Sequence, residues 1–318
     1  MAEGPRRTGL ALRDALPWPE VVEVVRTAEE TGYEALFLPE VGGREPFATL
    51  GALAAATERL GLATGVVPVA TRSPLVTAMA AATVHEVSGG RMILGLGTGP
   101  AGPGALERLR AHVAAVRRLL AGDRVEVEGR PARLLLELPS PPPIWIAALG
   151  PKAMAMAGEI ADGAILNWCP PERAALARER VREGAERAGR DPAGVTIAVY
   201  VRACLGPDED AALAALRLQA GLYASYPAYR RQFAQLGLAE LADRAAAAHA
   251  AGRPEGVPEA LVRTLCLLGD PGPARGRLEA YREAGADLPV VYPVPCLDPL
   301  SSVLGTLFAL APEPRVEA

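Results

Sequence analysis

Residues Gly150-Pro151-Lys152-Ala153 have the types and order of an anion site. An apolar run ends just before them, Gly-Pro turns the chain, and helix-compatible sequence begins at once. The first amides of a helix have no intrahelical acceptor and the helix dipole adds positive potential there, so such a start binds phosphate. Proline in the first turn removes no donor that the helix needs. Lys152 is the only lysine among 33 basic residues, and its flexible ammonium can meet a phosphate as a point charge. The alternative is an exposed lysine at an ordinary helix start. A second stretch, Gly97-Thr98-Gly99-Pro100-Ala101-Gly102, fits GxGxxG between a strand and a helix. It fails as a dinucleotide fingerprint, because no lone acid closes a following strand about 20 residues on. Glu126 and Glu128 fall in a predicted surface hairpin. A glycine-rich loop that lets a flat ligand approach the backbone fits better, with a plain tight turn as the alternative. Gly65, followed by Val66-Val67-Pro68, permits unusual backbone geometry where an apolar run ends. Composition alone reads it as core strand.

These residues need a scaffold. Apolar, β-branched runs at 8–12, 35–39, 62–67, 92–97, 144–149, 163–167, 195–205 and 288–292 read as strands. Helical segments fall at 17–31, 46–59, 74–87, 104–121, 151–160, 171–188, 273–284 and 300–310. Residues 125–128 and 134–138, joined through Gly129-Arg130-Pro131, read as a surface hairpin. Residues 208–268 are mostly helical, broken at Pro227 and at 252–258. Strands alternating with helices argue for a parallel sheet with right-handed crossovers. Eight such units in 318 residues, with no shift in composition, argue for a single (β/α)8 TIM barrel over residues 1–318 rather than an open sheet. The helical insertion between strands 7 and 8, about 206–270, is too long for a connector and reads as a lid or an oligomerisation element. Ligands of such a fold sit where loops leave the carboxyl ends of the strands. Residues 312–318 read as a frayed tail.

Composition narrows the class. Half of the residues are hydrophobic but only 4% are aromatic, so the core is expected to be mainly Ala, Leu and Val. A net charge of -4 with both signs interspersed gives no basic face for nucleic acid and no patch for an anionic membrane. Apolar runs stop well short of the ~18 residues of a bilayer span, and no signal peptide is read at the N-terminus. The four cysteines, Cys169, Cys204, Cys266 and Cys296, form no CxxC and read as reduced thiols in a cytoplasmic setting. His85, His112 and His249 do not stand at ligand spacing, so no metal is expected; His85 reads as structural.

A set of motifs in order along almost the whole chain resembles the luciferase-like monooxygenase family, the flavin- and deazaflavin-dependent barrel oxidoreductases. The motifs are Thr64-Gly65-Val66, Thr71-Arg72-Ser73-Pro74, Ser88-Gly89-Gly90-Arg91 and Gly95-Leu96-Gly97-Thr98-Gly99, then Gly150-Pro151-Lys152-Ala153, Ile160-Ala161-Asp162-Gly163 and Tyr281-Arg282-Glu283-Ala284-Gly285-Ala286-Asp287. The likeness is nearest to members that use the deazaflavin coenzyme F-420, including methylenetetrahydromethanopterin reductase-like proteins; FMN-using members share most of the motifs. The resemblance implies that Gly65, Val66 and Val67 form a bulge backing the cofactor ring, with a non-prolyl cis peptide. It implies that Thr98 and Gly99 line the ring or ribityl chain, that Gly150, Pro151, Lys152 and Ala153 hold the phosphate, and that Asn167 and Trp168 border the pocket, Trp168 toward the substrate. Glu40 ends the second strand where members keep a polar group facing substrate, and it is the candidate catalytic residue. Arg72 is a candidate anchor for an anionic substrate or the coenzyme tail. Pro100 stands where sugar-phosphate-oxidising members carry an acid, which argues against that activity. The implied function is hydride transfer between the coenzyme and a small organic substrate, by a homodimer or higher homo-oligomer. The alternatives are an FMN-dependent monooxygenase and a cofactor-binding barrel without turnover.

Overall fold

The computed structural model describes residues 7–13, 15–99, 102–206 and 208–312, so Pro100 and nearly all of the expected frayed tail lie outside the described residues. The chain begins β1 (Gly9–Ala11), α1 (Trp18–Glu30), β2 (Ala35–Leu38), α2 (Pro46–Ala54), β3 (Gly61–Thr64), β4 (Val67–Pro68), α3 (Pro74–Val87) and β5 (Met92–Gly97). It continues with α4 (Ala105–Leu120), β6 (Val125–Val127), β7 (Arg130–Ala132), β8 (Ile144–Ala147), α5 (Pro151–Ile160), β9 (Gly163–Asn167), α6 (Glu172–Arg187) and β10 (Thr196–Leu205). The insertion holds α7 (Glu209–Ser225), α8 (Pro227–Gln235), α9 (Ala239–Ala250) and α10 (Glu259–Leu265). Last come β11 (Cys266–Gly269), α11 (Pro271–Glu283), β12 (Leu288–Pro293) and α12 (Pro299–Ala309).

Strands β1, β2, β3, β5, β8, β9, β10 and β12 pair in parallel in that order and close on β1, giving the expected eight-stranded barrel. The motif acids and arginines fasten the ends where strands begin. The Arg91 guanidinium donates to the carbonyls of Ala54, Thr57, Leu60 and Ser88 and to the Thr57 hydroxyl, at 2.7–3.0 Å. Asp162 accepts from the Ile144 amide at 2.9 Å and from Arg117 and Arg190. Asp287 accepts from the Ile197 amide at 2.7 Å and from Arg178 at 2.6 Å. These charge-assisted bonds set strand register at the end of the barrel away from the ligand.

At the opposite end the predicted third strand, 62–67, is interrupted. Ala63 pairs with Ile93 and Val67 with Leu96, so four residues advance on one strand against three on its neighbour, which is a β-bulge. Its cause is Thr64. The buried hydroxyl accepts from the Gly95 amide and donates to the Gly95 carbonyl, both at 2.8 Å, and so takes the place of a backbone partner. A Cβ on residue 95 would lie 2.1 Å from the Thr64 carbonyl oxygen, so only glycine fits. All peptide bonds among the described residues are trans, which corrects the expected cis peptide in this bulge: side-chain substitution in the ladder shapes it instead.

Two further expectations need correction. The second arm of the hairpin is Arg130–Ala132, not 134–138, because Glu128 and Gly129, both at positive φ, make a two-residue turn and pairing resumes at once. Within the predicted helical insertion, residues Cys266–Gly269 form a strand, β11, paired with Arg202–Leu205 of β10. A four-residue apolar run directly after a helix has no periodicity that separates strand from helix.

The few aromatic residues are concentrated. Phe37, Trp145, Tyr200 and Tyr292 fill the barrel interior with ring centroids 5.6–6.0 Å apart along the set. Trp168, Tyr223, Tyr226, Tyr229 and Phe233 form the seam between barrel and insertion. Helices α5 and α6 touch backbone to backbone: a Cβ on Gly184 would lie 1.9 Å from the Ala155 carbonyl oxygen. The four cysteines are free thiols, and the sulfurs of Cys204 and Cys296, distant in sequence, lie 3.2 Å apart.

Candidate functional site

One cavity of 1230 Å³ opens at the carboxyl ends of the strands. Its first wall is the bulge, where Gly65, Val66 and Pro68 face it. Val66 is pressed inward because the neighbouring strand carries glycines at Gly95 and Gly97. Gly97, Thr98 and Gly99 continue the wall, and Gly99 at φ 71 turns the chain away from β5. The floor includes Ala147, Ile165 and Tyr200, whose hydroxyl donates to the Gly65 carbonyl at 3.2 Å.

Gly150, Lys152 and Ala153 line the far end. Most helices with a polar residue before them are capped by it: Ser73 accepts from the Val76 amide and Asp208 from the Ala211 amide. Gly150 has no side chain to do this, so the first-turn amides of α5 remain uncapped. Lys152 and Arg231 both line the cavity, and neither side chain has a hydrogen bond or ion pair among the described residues. Behind the wall, the buried Arg173 donates to the Leu149 carbonyl at 2.7 Å and to Gln235 at 2.9 Å. It has no carboxylate partner among the described residues, and burial lowers its pKa.

Several sequence-predicted residues do not reach the cavity. Val67 is fully buried in β4, and Pro151 lies beside the cavity rather than in its wall. Glu40 does line it, and accepts from Arg72 Nε at 2.8 Å. Arg72 also bonds Glu45 and lies 5.1 Å over the Phe47 ring, so its charge is used by two carboxylates rather than offered to a ligand. Trp168 turns away through a left-handed backbone, φ 53, and is buried against Tyr223 at 5.0 Å. Asn167 lines the cavity.

Sequence reading missed the insertion's share. Tyr226, Pro227, Tyr229 and Arg231 close the cavity from above, and Glu107 faces it from α4. The available signal was three tyrosines, 223, 226 and 229, within seven residues of an Ala-rich stretch, from a total of 7 in the chain. Arg202, lone in a buried strand, was a second signal. It is 3% exposed, it donates to Asn167 Oδ1 and to the Tyr223 hydroxyl, and three rings pack on it at 4.3–5.0 Å. Burial pushes the Tyr292 phenol up to about 12 although Arg202 pulls the other way, and burial likewise raises Tyr200 and Tyr229.

Comparison with known proteins gives the family and the fold. The model of the luciferase-like monooxygenase family matches residues 4–288. The chain is 32% identical over 212 residues to the 5,10-methylenetetrahydromethanopterin reductase of Methanolobus tindarius, covering 62% of this chain and 64% of that protein, a little under two thirds of its length. It is 28% identical to a Mycobacterium tuberculosis protein assigned as a coenzyme F420-dependent oxidoreductase, over 87% of this chain and 91% of that one. In structure it is similar to the coenzyme F420-dependent tetrahydromethanopterin reductase of Methanopyrus kandleri, with a TM-score of 0.78, 20% identity, and coverage of 97% and 98%. The chain belongs to the luciferase-like monooxygenase family.

Proposed function

We propose that this luciferase-like family member is an oxidoreductase that takes coenzyme F-420 and transfers hydride to or from a small organic substrate. The observation that carries the reading is that one cavity joins the uncapped start of α5, with Lys152, to the Thr64-shaped bulge. A phosphate fits the free amides of Lys152 and Ala153, and a flat ring fits against Gly65 and Val66. Thr98 and Gly99 line the same cavity, and a ribityl chain would run beside them. When bound, the coenzyme supplies the hydride chemistry. The chain's own residues orient the two reactants and exclude water. Glu40 is proposed to orient substrate, with Arg72 fixing the carboxylate in place rather than binding substrate itself.

Support for the deazaflavin comes from the relatives named for coenzyme F420. FMN has a similar tricycle and ribityl phosphate, so the same walls suit an FMN-dependent monooxygenase. Among the described residues no helix is long and apolar enough to cross a membrane, and the reading takes the enzyme as cytoplasmic. Self-association through α3 is part of the proposal: Val76, Met79 and Val87 are about half exposed along it.

The test is titration of the purified protein, freed of cofactor, with FMN and separately with coenzyme F-420, followed by fluorescence. Tighter binding of the deazaflavin supports the proposal. Preference for FMN transfers it to the monooxygenase, and binding of neither sinks it.

A further inference from the structure

We propose that Tyr229, carried in by α8, is a catalytic proton donor in this cavity, that Arg202 and Asn167 are its positioning residues, and that the substrate presents a carbonyl or imine to it. The proposal rests on the hydride-transfer reading above. The observation is a directed chain of hydrogen bonds. A guanidinium only donates, so the bond from Arg202 Nη1 fixes the Asn167 side chain with Oδ1 toward the arginine. The amide NH2 then faces Tyr229, and Asn167 Nδ2 donates to the phenol oxygen at 2.7 Å. That oxygen is occupied as an acceptor, and its own proton has no acceptor among the described residues. Tyr229 lines the cavity, so the O–H is offered to whatever binds there.

The chain is held stiffly. Arg202 is packed among the rings of Trp168, Tyr223 and Tyr292. One turn beyond Tyr229, buried Gln232 donates from Nε2 to the carbonyls of Asn167 and Trp168, at 2.8 and 2.7 Å, and so pins α8 to the end of β9. Arg202 has no carboxylate partner among the described residues. Its charge therefore acts through Asn167 on the phenol, and favours negative charge on that oxygen as the proton leaves. In the closed barrel β10 lies diametrically across from β3, so the bulge and the Tyr229 apparatus face each other over the mouth. A ring against Gly65 and Val66 leaves the substrate between itself and the phenol.

The step balances with a reduced deazaflavin or dihydroflavin as reductant. Hydride forms the new C–H bond at the carbonyl or imine carbon, and the π pair moves to the heteroatom. The Tyr229 O–H bond breaks and its proton passes to that heteroatom. Water in the mouth then reprotonates the phenol oxygen and takes up in turn the proton that the coenzyme loses on oxidation.

The experiment uses the full chain, wild type and the variants Tyr229→Phe, Asn167→Asp and the double variant. The probes are cyclohexanone, cyclohexenone and 1-pyrroline, with reduced coenzyme F-420 as reductant. A donor of this kind contributes roughly 100-fold or more, so Tyr229→Phe is expected to lower kcat by about that factor while the coenzyme Kd moves less than about threefold. Asn167→Asp keeps size and folding but gives the phenol a carboxylate to bond, which draws the proton out of the cavity. It should lose about as much, and the double variant no more. Without turnover, the infrared carbonyl stretch of cyclohexanone bound to the coenzyme-free chain should lie lower in wild type than in either single variant. The inference is overturned if Tyr229→Phe keeps kcat within about twofold, if the losses multiply, if the stretch is the same in all three proteins, or if the wild type binds coenzyme yet reduces none of the probes. Failure of the wild type to bind either cofactor is a different result, and removes the functional reading itself.

Discussion

Replacing Thr64 by valine keeps the shape of a buried side chain and deletes one oxygen. That oxygen serves both the amide and the carbonyl of Gly95, each at 2.8 Å, and no other backbone group stands in register to replace it. A buried amide left without an acceptor costs ~1–3 kcal/mol, and the orphaned carbonyl adds ~1, so the loss should be about 3 kcal/mol. With a urea dependence near 3 kcal/mol per molar for a chain of this size, the unfolding midpoint should fall by about 1 M. Val66, two residues on, packs over Gly95 and Gly97, so a shift of the bulge moves it and coenzyme affinity should weaken by roughly tenfold, about 1.4 kcal/mol. Thr64→Ser keeps the oxygen and should retain most of both properties. The assays are urea denaturation followed by far-ultraviolet circular dichroism, and coenzyme titration by fluorescence. A valine variant as stable as wild type, with unchanged affinity, would refute the account of how the bulge is made.

Lys152→Ala removes an exposed ammonium at the start of α5, worth ~1 kcal/mol, so FMN or coenzyme F-420 should bind about fivefold more weakly while phosphate-free riboflavin is unaffected. Gly184→Ala forces a methyl group against the Ala155 carbonyl and should cost about 3 kcal/mol by thermal unfolding; a cost below 1 would mean that α5 and α6 are not in backbone contact. Burial holds His112 down to about 4 from 6.5, so the folded state favours the neutral ring. The Thr77 hydroxyl donates to the Ser73 carbonyl, which assigns the ring proton to Nε2 as donor to Thr77. Stability from this group is complete above pH 6.5 and is lost as pH falls toward 4, by about 2 kcal/mol between pH 8 and pH 5. His112→Gln should flatten that part of the profile, and an unchanged profile would show that another group carries it.

The barrel was readable from sequence because each strand is a short apolar run punctuated by Gly, Pro or a helix start, and those signals are local. The uncapped start of α5 was readable for the same reason: Gly150-Pro151-Lys152 states in three residues that a helix begins without a capping side chain. Other motif residues proved structural. Arg91, Asp162 and Asp287 work at the strand starts, tying amides and carbonyls far from any ligand. What sequence did not disclose depends on long-range meetings. Arg202, Asn167 and Tyr229 lie 35 and 62 residues apart in their two hydrogen bonds, and no periodicity links them. Arg72 looked like a free cation near the site, and only folding revealed that Glu40 and Glu45 hold it.

The pairing of β10 has a bearing on how molecules enter and leave. Its first half is bonded to β9 and its last residues to β11, so the sheet of the barrel runs on without a break into the insertion. A cover joined by main-chain bonds to a closed sheet cannot swing as a hinged flap without breaking that sheet. Backbone amides of β11 should therefore exchange with deuterium as slowly as those of the barrel. Helix α8 meets the barrel through side chains: Gln232 donates to the carbonyls of Asn167 and Trp168, Tyr229 accepts from Asn167, and Gln235 accepts from Arg173. Traffic through the mouth then depends on those side-chain bonds, and the helix that delivers Tyr229 is also the door.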